Sequence, residues 1–105
     1  MIEELQKQDR DLIRAKIDSE TAKIPWQEMQ RFFAAGNTLL VATDLDLVDV
    51  ACAFHQDEVN IVKSWTDDGR VAAVTDEQAR DWIDKDTRLW AVVVKPWVLL
   101  QIIAQ

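Results

Sequence analysis

Leu89 to Ala104, LWAVVVKPWVLLQIIA, holds one charge in sixteen residues, Lys95, with a proline directly after it at Pro96. A membrane-spanning helix needs about 20 predominantly apolar residues, and this run is shorter and interrupted by Lys-Pro. Proline cannot donate to a β ladder, so Pro96 divides the run into two strands or marks a strand edge. The run therefore reads as sheet, and no membrane segment is expected.

Upstream of it, Thr75-Asp76-Glu77-Gln78 has the form of a capping box, in which the Thr75 hydroxyl accepts from the Gln78 amide and the Gln78 side chain reaches back to Thr75. Ala79, Trp82 and Ile83 then supply the buried face of a helix ending near Lys85. Arg70 to Val74 (RVAAV) reads as a strand. Asp57 is a candidate N-cap for a helix carrying Val59, Ile61, Val62 and Trp65, which Gly69 terminates. Before it, LDLVDVACAF is apolar at almost every helical angle except the line through Asp46, Asp49 and Gln56, so it reads as a largely buried helix capped by Thr43 or Asp44. Thr38 to Ala42 (TLLVA) is a short apolar run of β-formers, hence a buried strand. The pairs Val41 to Asp44 (VATD) and Ala73 to Asp76 (AVTD) both join a strand to a helix start, an echo too short to define a repeat.

In the first third of the chain, Trp26, Met29, Phe32 and Phe33 keep helical spacing from Pro25, suited to a first helical position, to Gly36, suited to a helix end. From Glu3 to Glu20, Leu5, Leu12, Ile13 and Ile17 form a narrow apolar stripe among charges of both signs, an amphipathic surface helix. Thr21 to Ile24 reads as a bend between these two helices. Residues 1–18 are expected to form a helical extension and residues 19–105 an α+β domain.

At 105 residues the chain closes one hydrophobic interior, and 49% hydrophobic content with 2 Gly and 2 Pro excludes a disordered or collagen-like segment. Twelve Lys+Arg against 19 Asp+Glu give a net charge of −7, which disfavours nucleic acid and anionic lipid as general partners. A single Cys excludes an intramolecular disulfide, and the charged opening MIEELQKQDR is unlike a secretory leader, so a cytoplasmic location is expected.

The residue types that carry chemistry are sparse. Asp44, Asp46 and Asp49 are hard oxygen donors, but the glycine and distal glutamate of a calcium loop are not at the required spacing; helix capping and a solvated stripe account for them. Cys52 and His55, three apart on one helix face, form a nucleophile-and-base pair in principle, with no Gly-rich oxyanion loop nearby. Packing of Cys52 as a small apolar residue, with His55 complementing the helix C-terminus, is the better account. Neither a catalytic set, a metal set nor a cofactor is expected. Five Trp without Tyr is the most unusual feature of the composition. Trp65 and Trp82 occupy core positions of helical stripes, with Trp26 a third candidate, whereas Trp90 and Trp97 lie in the apolar C-terminal run, where Trp is also suited to an interface.

Leu47 to Val71 is similar in its apolar spacing to the helix-turn-helix and first wing strand of excisionase or MerR-type winged-helix proteins. Its second helix, Asp57 to Asp68, has four acids and one lysine, and Asp44 to Arg88 holds 12 acidic and 5 basic residues. Phosphate contacts supply nearly all non-specific DNA affinity, so the pair suits a scaffold or a protein contact better.

Over most of its length the chain resembles a small bacterial family known as domain of unknown function 2288. The likeness is carried by Glu20-Thr21, Ile24 and Trp26, by LDLVDVA (Leu45 to Ala51), Trp65 and Gly69, by DEQARDW (Asp76 to Trp82) and by LWAVVVKPWVLLQ (Leu89 to Gln101). The resemblance implies no activity or ligand. The expected fold is α+β, with about five helices around a sheet of about three strands drawn from Thr38 to Ala42, Arg70 to Val74 and Leu89 onward. The expected function is a non-enzymatic interaction or regulatory module, a homodimer through Trp90, Trp97, Val98 and Leu100, or a partner of a protein with a basic surface. A degenerate winged-helix regulator is the alternative, and a small enzyme using Cys52 and His55 the third reading.

Overall fold

The computed structural model describes residues 2–104, with side chains from residue 8 onward. Helix α1 (Ile2–Glu20) leads into strand β1 (Ala22–Pro25), a 3-10 turn (Trp26–Met29) and helix α2 (Gln30–Ala34). Strand β2 (Thr38–Val41), helices α3 (Leu47–His55) and α4 (Val59–Asp67), and strand β3 (Val71–Ala73) follow. Helix α5 (Asp76–Asp84) and the hairpin of β4 (Arg88–Val94) and β5 (Trp97–Ile102) complete the chain. The fold is α+β with five α-helices, as expected, but the sheet has five strands rather than about three, in the order β1-β4-β5-β2-β3. All neighbours are antiparallel except β2 and β5, which run parallel with Thr38 opposite Val98 and Val41 opposite Gln101.

The two unexpected strands have separate physical origins. Pro96 does divide Leu89–Ala104 into two strands, and its bond to Lys95 is cis at the hairpin turn between them. Thr21 to Ile24 is expected as a bend and Pro25 as a first helical position, but Ala22 to Pro25 pairs as a strand with β4 from Ala91 to Arg88. An edge strand needs a partner on one side only, so Pro25 is tolerated where a central strand would exclude it.

Helices cover both faces of the sheet, so there are two cores. On one face Trp26, Met29, Ala79 and Trp82 from the 3-10 turn and α5 pack with Leu89, Ala91, Val98 and Leu100, and Phe32 and Phe33 of α2 close over them. On the other face Ile17 of α1 and Leu47, Val50 and Ala51 of α3 pack with Val41, Val71, Val92 and Leu99. The pleat makes this possible, because successive side chains point to opposite faces: in β5, Val98 and Leu100 enter the first core and Leu99 the second. Burial on both faces also explains why the WVLL run, Trp97 to Leu100, does not alternate with polar residues.

Three helix starts illustrate how local chemistry is decided. The capping box at α5 forms as read: the Gln78 amide donates to Thr75 Oγ1 at 3.1 Å and the Thr75 amide to Gln78 Oε1 at 3.0 Å. For α3 the cap is Asp46, not Thr43 or Asp44; its carboxylate accepts from the amides of Val48 (2.8 Å) and Asp49 (3.1 Å). The start is displaced because Gln101 Nε2 of β5 donates to the carbonyl oxygens of Ala42 (2.9 Å) and Leu45 (2.8 Å), holding residues 42–45 as a loop. Asp57 does not cap α4 either: it takes φ +58° in the tight junction after α3, and Glu58 precedes the helix. A short polar residue is the usual non-glycine occupant of that left-handed region.

The stripe on α1 divides along its length. Leu12 is exposed, Ile13 is half-buried and Ile17 is buried against the second core, and Arg14 pairs with Asp49 across the α1–α3 contact. The side chain of Leu5, and residues 1 and 105 of the expected extension and domain, lie outside the described residues.

Candidate functional site

Helix α4 is amphipathic and packs at the margin of the second core through Trp65. None of its residues is buried: Val62 and Trp65 are half-buried, while Val59 and Ile61 are exposed at 62% and 44%. Val59, Val62, Lys63 and Thr66 stand at i, i+3, i+4 and i+7, one helical face, and they form a wall of a cleft of about 460 Å³. Phe54 and Ala53 at the end of α3 form its floor, and Lys95, Pro96 and Trp97 of the β4–β5 turn form the opposite wall. Asp57 and Glu58 from the α3–α4 junction complete the lining. The junction's left-handed residue and the hairpin turn therefore position the cleft, with an apolar interior and charges of both signs around it.

Of the four residues expected at an interface, Val98 (2% exposed) and Leu100 (0%) are core residues facing the α5 side of the sheet, a correction that follows from the covering of both faces. Trp90 is half-buried on the other face, with Lys23 Nζ 5.0 Å from its ring centroid, as the β1–β4 register places Lys23 opposite Trp90. Trp97 is half-buried and lines the cleft. The cleft's remaining residues come from the end of α3, the α3–α4 junction, α4 and the hairpin turn.

Each aspartate of the DLDLVD run has a structural engagement. Asp44 pairs with Arg70 at 3.4 Å, Asp46 caps α3, and Asp49 pairs with Arg14. Among the described residues, no group of three or more His, Cys, Asp or Glu side chains is placed to hold a metal ion. Cys52 and His55 share α3 but are not joined by a hydrogen bond. Cys52 is half-buried, and burial pushes its thiol pKa up, opposed by the nearby Arg14. A thiol held neutral at pH 7 is a poor nucleophile. Alkylation of the folded protein by iodoacetamide should thus run about tenfold or more slower than that of the urea-unfolded chain. Equal rates would show an exposed thiol of ordinary reactivity, and a faster rate in the folded protein would show an activated one and restore the enzyme reading.

A two-sided α+β sandwich with a surface cleft is a form diagnostic of no one reaction. The chain belongs to the family of proteins of unknown function DUF2288, which matches residues 12–102. It is similar to the NMR solution structure of PA1075 from Pseudomonas aeruginosa, with 44% sequence identity and a TM-score of 0.77, over 90% of this chain and 87% of that one. No curated protein matches the chain.

Proposed function

We propose that this protein is a non-enzymatic, cytoplasmic interaction module that docks a basic, amphipathic segment of another protein in the cleft between α4 and Trp97. The observation that carries the reading is α4 itself, an amphipathic helix with no buried residue whose Val59 and Val62 line a cleft opposite Trp97. Apolar grooves of this kind accept a helix through anchors at i, i+3, i+4 and i+7. Charge supports this partner: from Asp44 to Asp68 there are seven acids and one base, Asp57 and Glu58 are the acids that line the cleft, and of its two lysines, Lys63 and Lys95, Lys63 is already paired with Asp67 at 2.9 Å. The same pairing disfavours the winged-helix alternative, since α4 would have to approach phosphates with its one cation engaged. The single free cysteine suits a reducing compartment.

The test is a titration of the labelled protein with a helical Leu/Lys peptide, followed by amide shifts. Shifts should centre on Val59, Val62, Thr66 and Trp97, weaken with salt, and be absent for a Leu/Glu peptide. Val59→Glu, at an exposed position, should weaken binding about tenfold without unfolding the chain. Shifts centred elsewhere, or indifference to Val59→Glu, would discard the cleft. A second reading, the homodimer, is favoured by one feature: the rim carries Asp57 and Glu58 as well as Lys63 and Lys95, so two copies about a two-fold axis can pair unlike charges. A sedimentation mass of two chains at micromolar concentration, reduced to one by Val59→Glu, would give the cleft to a second copy.

A further inference from the structure

A second cavity, of about 530 Å³, lies on the other side of Phe54, between α1, the end of α3 and β4. Its interior is apolar, lined by Ile13, Ile17, Phe54, Val93 and Val94. Three basic side chains from three separate elements meet at it: Lys16 of α1, His55 at the end of α3 and Lys95 of the hairpin turn, with Glu20 as its one acid. In a chain with 19 acids this convergence runs against the composition. Six cations elsewhere are engaged: Arg14, Lys63, Arg70 and Lys85 are ion-paired, and Lys23 and Arg31 lie over aromatic rings, whereas Arg80 and Arg88 stand singly on the surface. Among the described residues, Lys16 and Lys95 have neither kind of partner.

From this geometry we infer that the cavity is a binding site for a small monocarboxylate with an apolar body, its head group held by Lys16 and Lys95 beside His55. The charge count selects the class. Lys16 and Lys95 against Glu20 leave an excess of one lysine, which matches one carboxylate and disfavours a multiply charged phosphate ester. The volume lies within the range of about 300–1,000 Å³ usual for small-molecule sites, and the apolar lining accounts for an alkyl or aryl body rather than a bare inorganic anion.

The decisive experiment titrates the labelled full chain with octanoate, n-octanol and inorganic phosphate in parallel. Octanoate should produce saturable amide shifts at Lys16, His55, Val94 and Lys95 with an affinity of roughly millimolar or tighter. Octanol and phosphate, each lacking one half of the recognition, should bind at least about tenfold more weakly. Lys16→Ala and Lys95→Ala, both at exposed positions, should each lower octanoate affinity several-fold with the rest of the spectrum unchanged, whereas Arg80→Ala, an exposed cation elsewhere, should not. Octanol binding as well as octanoate, octanoate shifts confined to the α4 cleft, or indifference to both lysine variants would overturn the assignment.

Discussion

Trp26→Ala should lower the free energy of unfolding by about 3–5 kcal/mol, the usual cost of removing a large aromatic from a core. The indole is 1% exposed and is the hub of its layer, in edge-to-face contact with Trp82 (centroids 5.0 Å apart, 67° between planes) and with Phe33 (5.5 Å, 65°). Its backbone amide also donates to the Thr87 carbonyl at 2.9 Å, tying the 3-10 turn to the start of β4. Against a total stability of about 5–15 kcal/mol for a domain of this kind, the variant should be at the margin of folding. Urea titration followed by far-UV circular dichroism measures the shift. A loss below about 1 kcal/mol would show that the cluster is not packed as described. Leu12→Ala, at 68% exposure, is the control and should change stability by no more than about 0.5 kcal/mol.

Leu99→Ala should cost about 2–5 kcal/mol through the opposite core. Leu99 is 0% exposed and sits in the central strand among Val41, Val50, Ala51 and Val92, with strands on both sides of it that limit collapse of the cavity left behind. The spread in such costs reflects how far a site relaxes, and a site between two hydrogen-bonded neighbours relaxes little. The same urea titration should show one transition in both variants, because adjacent residues of β5 serve the two cores and neither can melt without the other. Two resolved transitions would mean that the layers unfold separately.

The elements visible in the sequence were those whose signal is local. The box at Thr75–Gln78 needs only four residues, and the strands at Thr38 and Val71 are bounded by their own turn residues. What was not visible depended on partners far along the chain. Ala22–Pro25 becomes a strand because β4, more than sixty residues later, offers an edge. Asp46 becomes the cap because Gln101 holds the preceding loop. Val98 and Leu100 looked like surplus apolar surface because the count of three strands left them uncovered; α5 and the Trp26 turn cover them. Trp97 stood out by residue type, whereas Lys16, His55 and Lys95 come from positions that no spacing rule connects.

The strand order has a bearing on how the molecule comes into being. β5, last of the strands in chain order, is the middle of the sheet, the sole link between the β1–β4 pair and the β2–β3 pair. A nascent or truncated chain that lacks it holds two short ribbons with open edges and two hydrophobic layers missing Val98, Leu99 and Leu100, the condition that invites pairing with other chains. Folding of this protein is therefore not progressive along the chain but awaits its keystone, and loss of Trp97–Ile102 by proteolysis would dissolve the sheet rather than trim it.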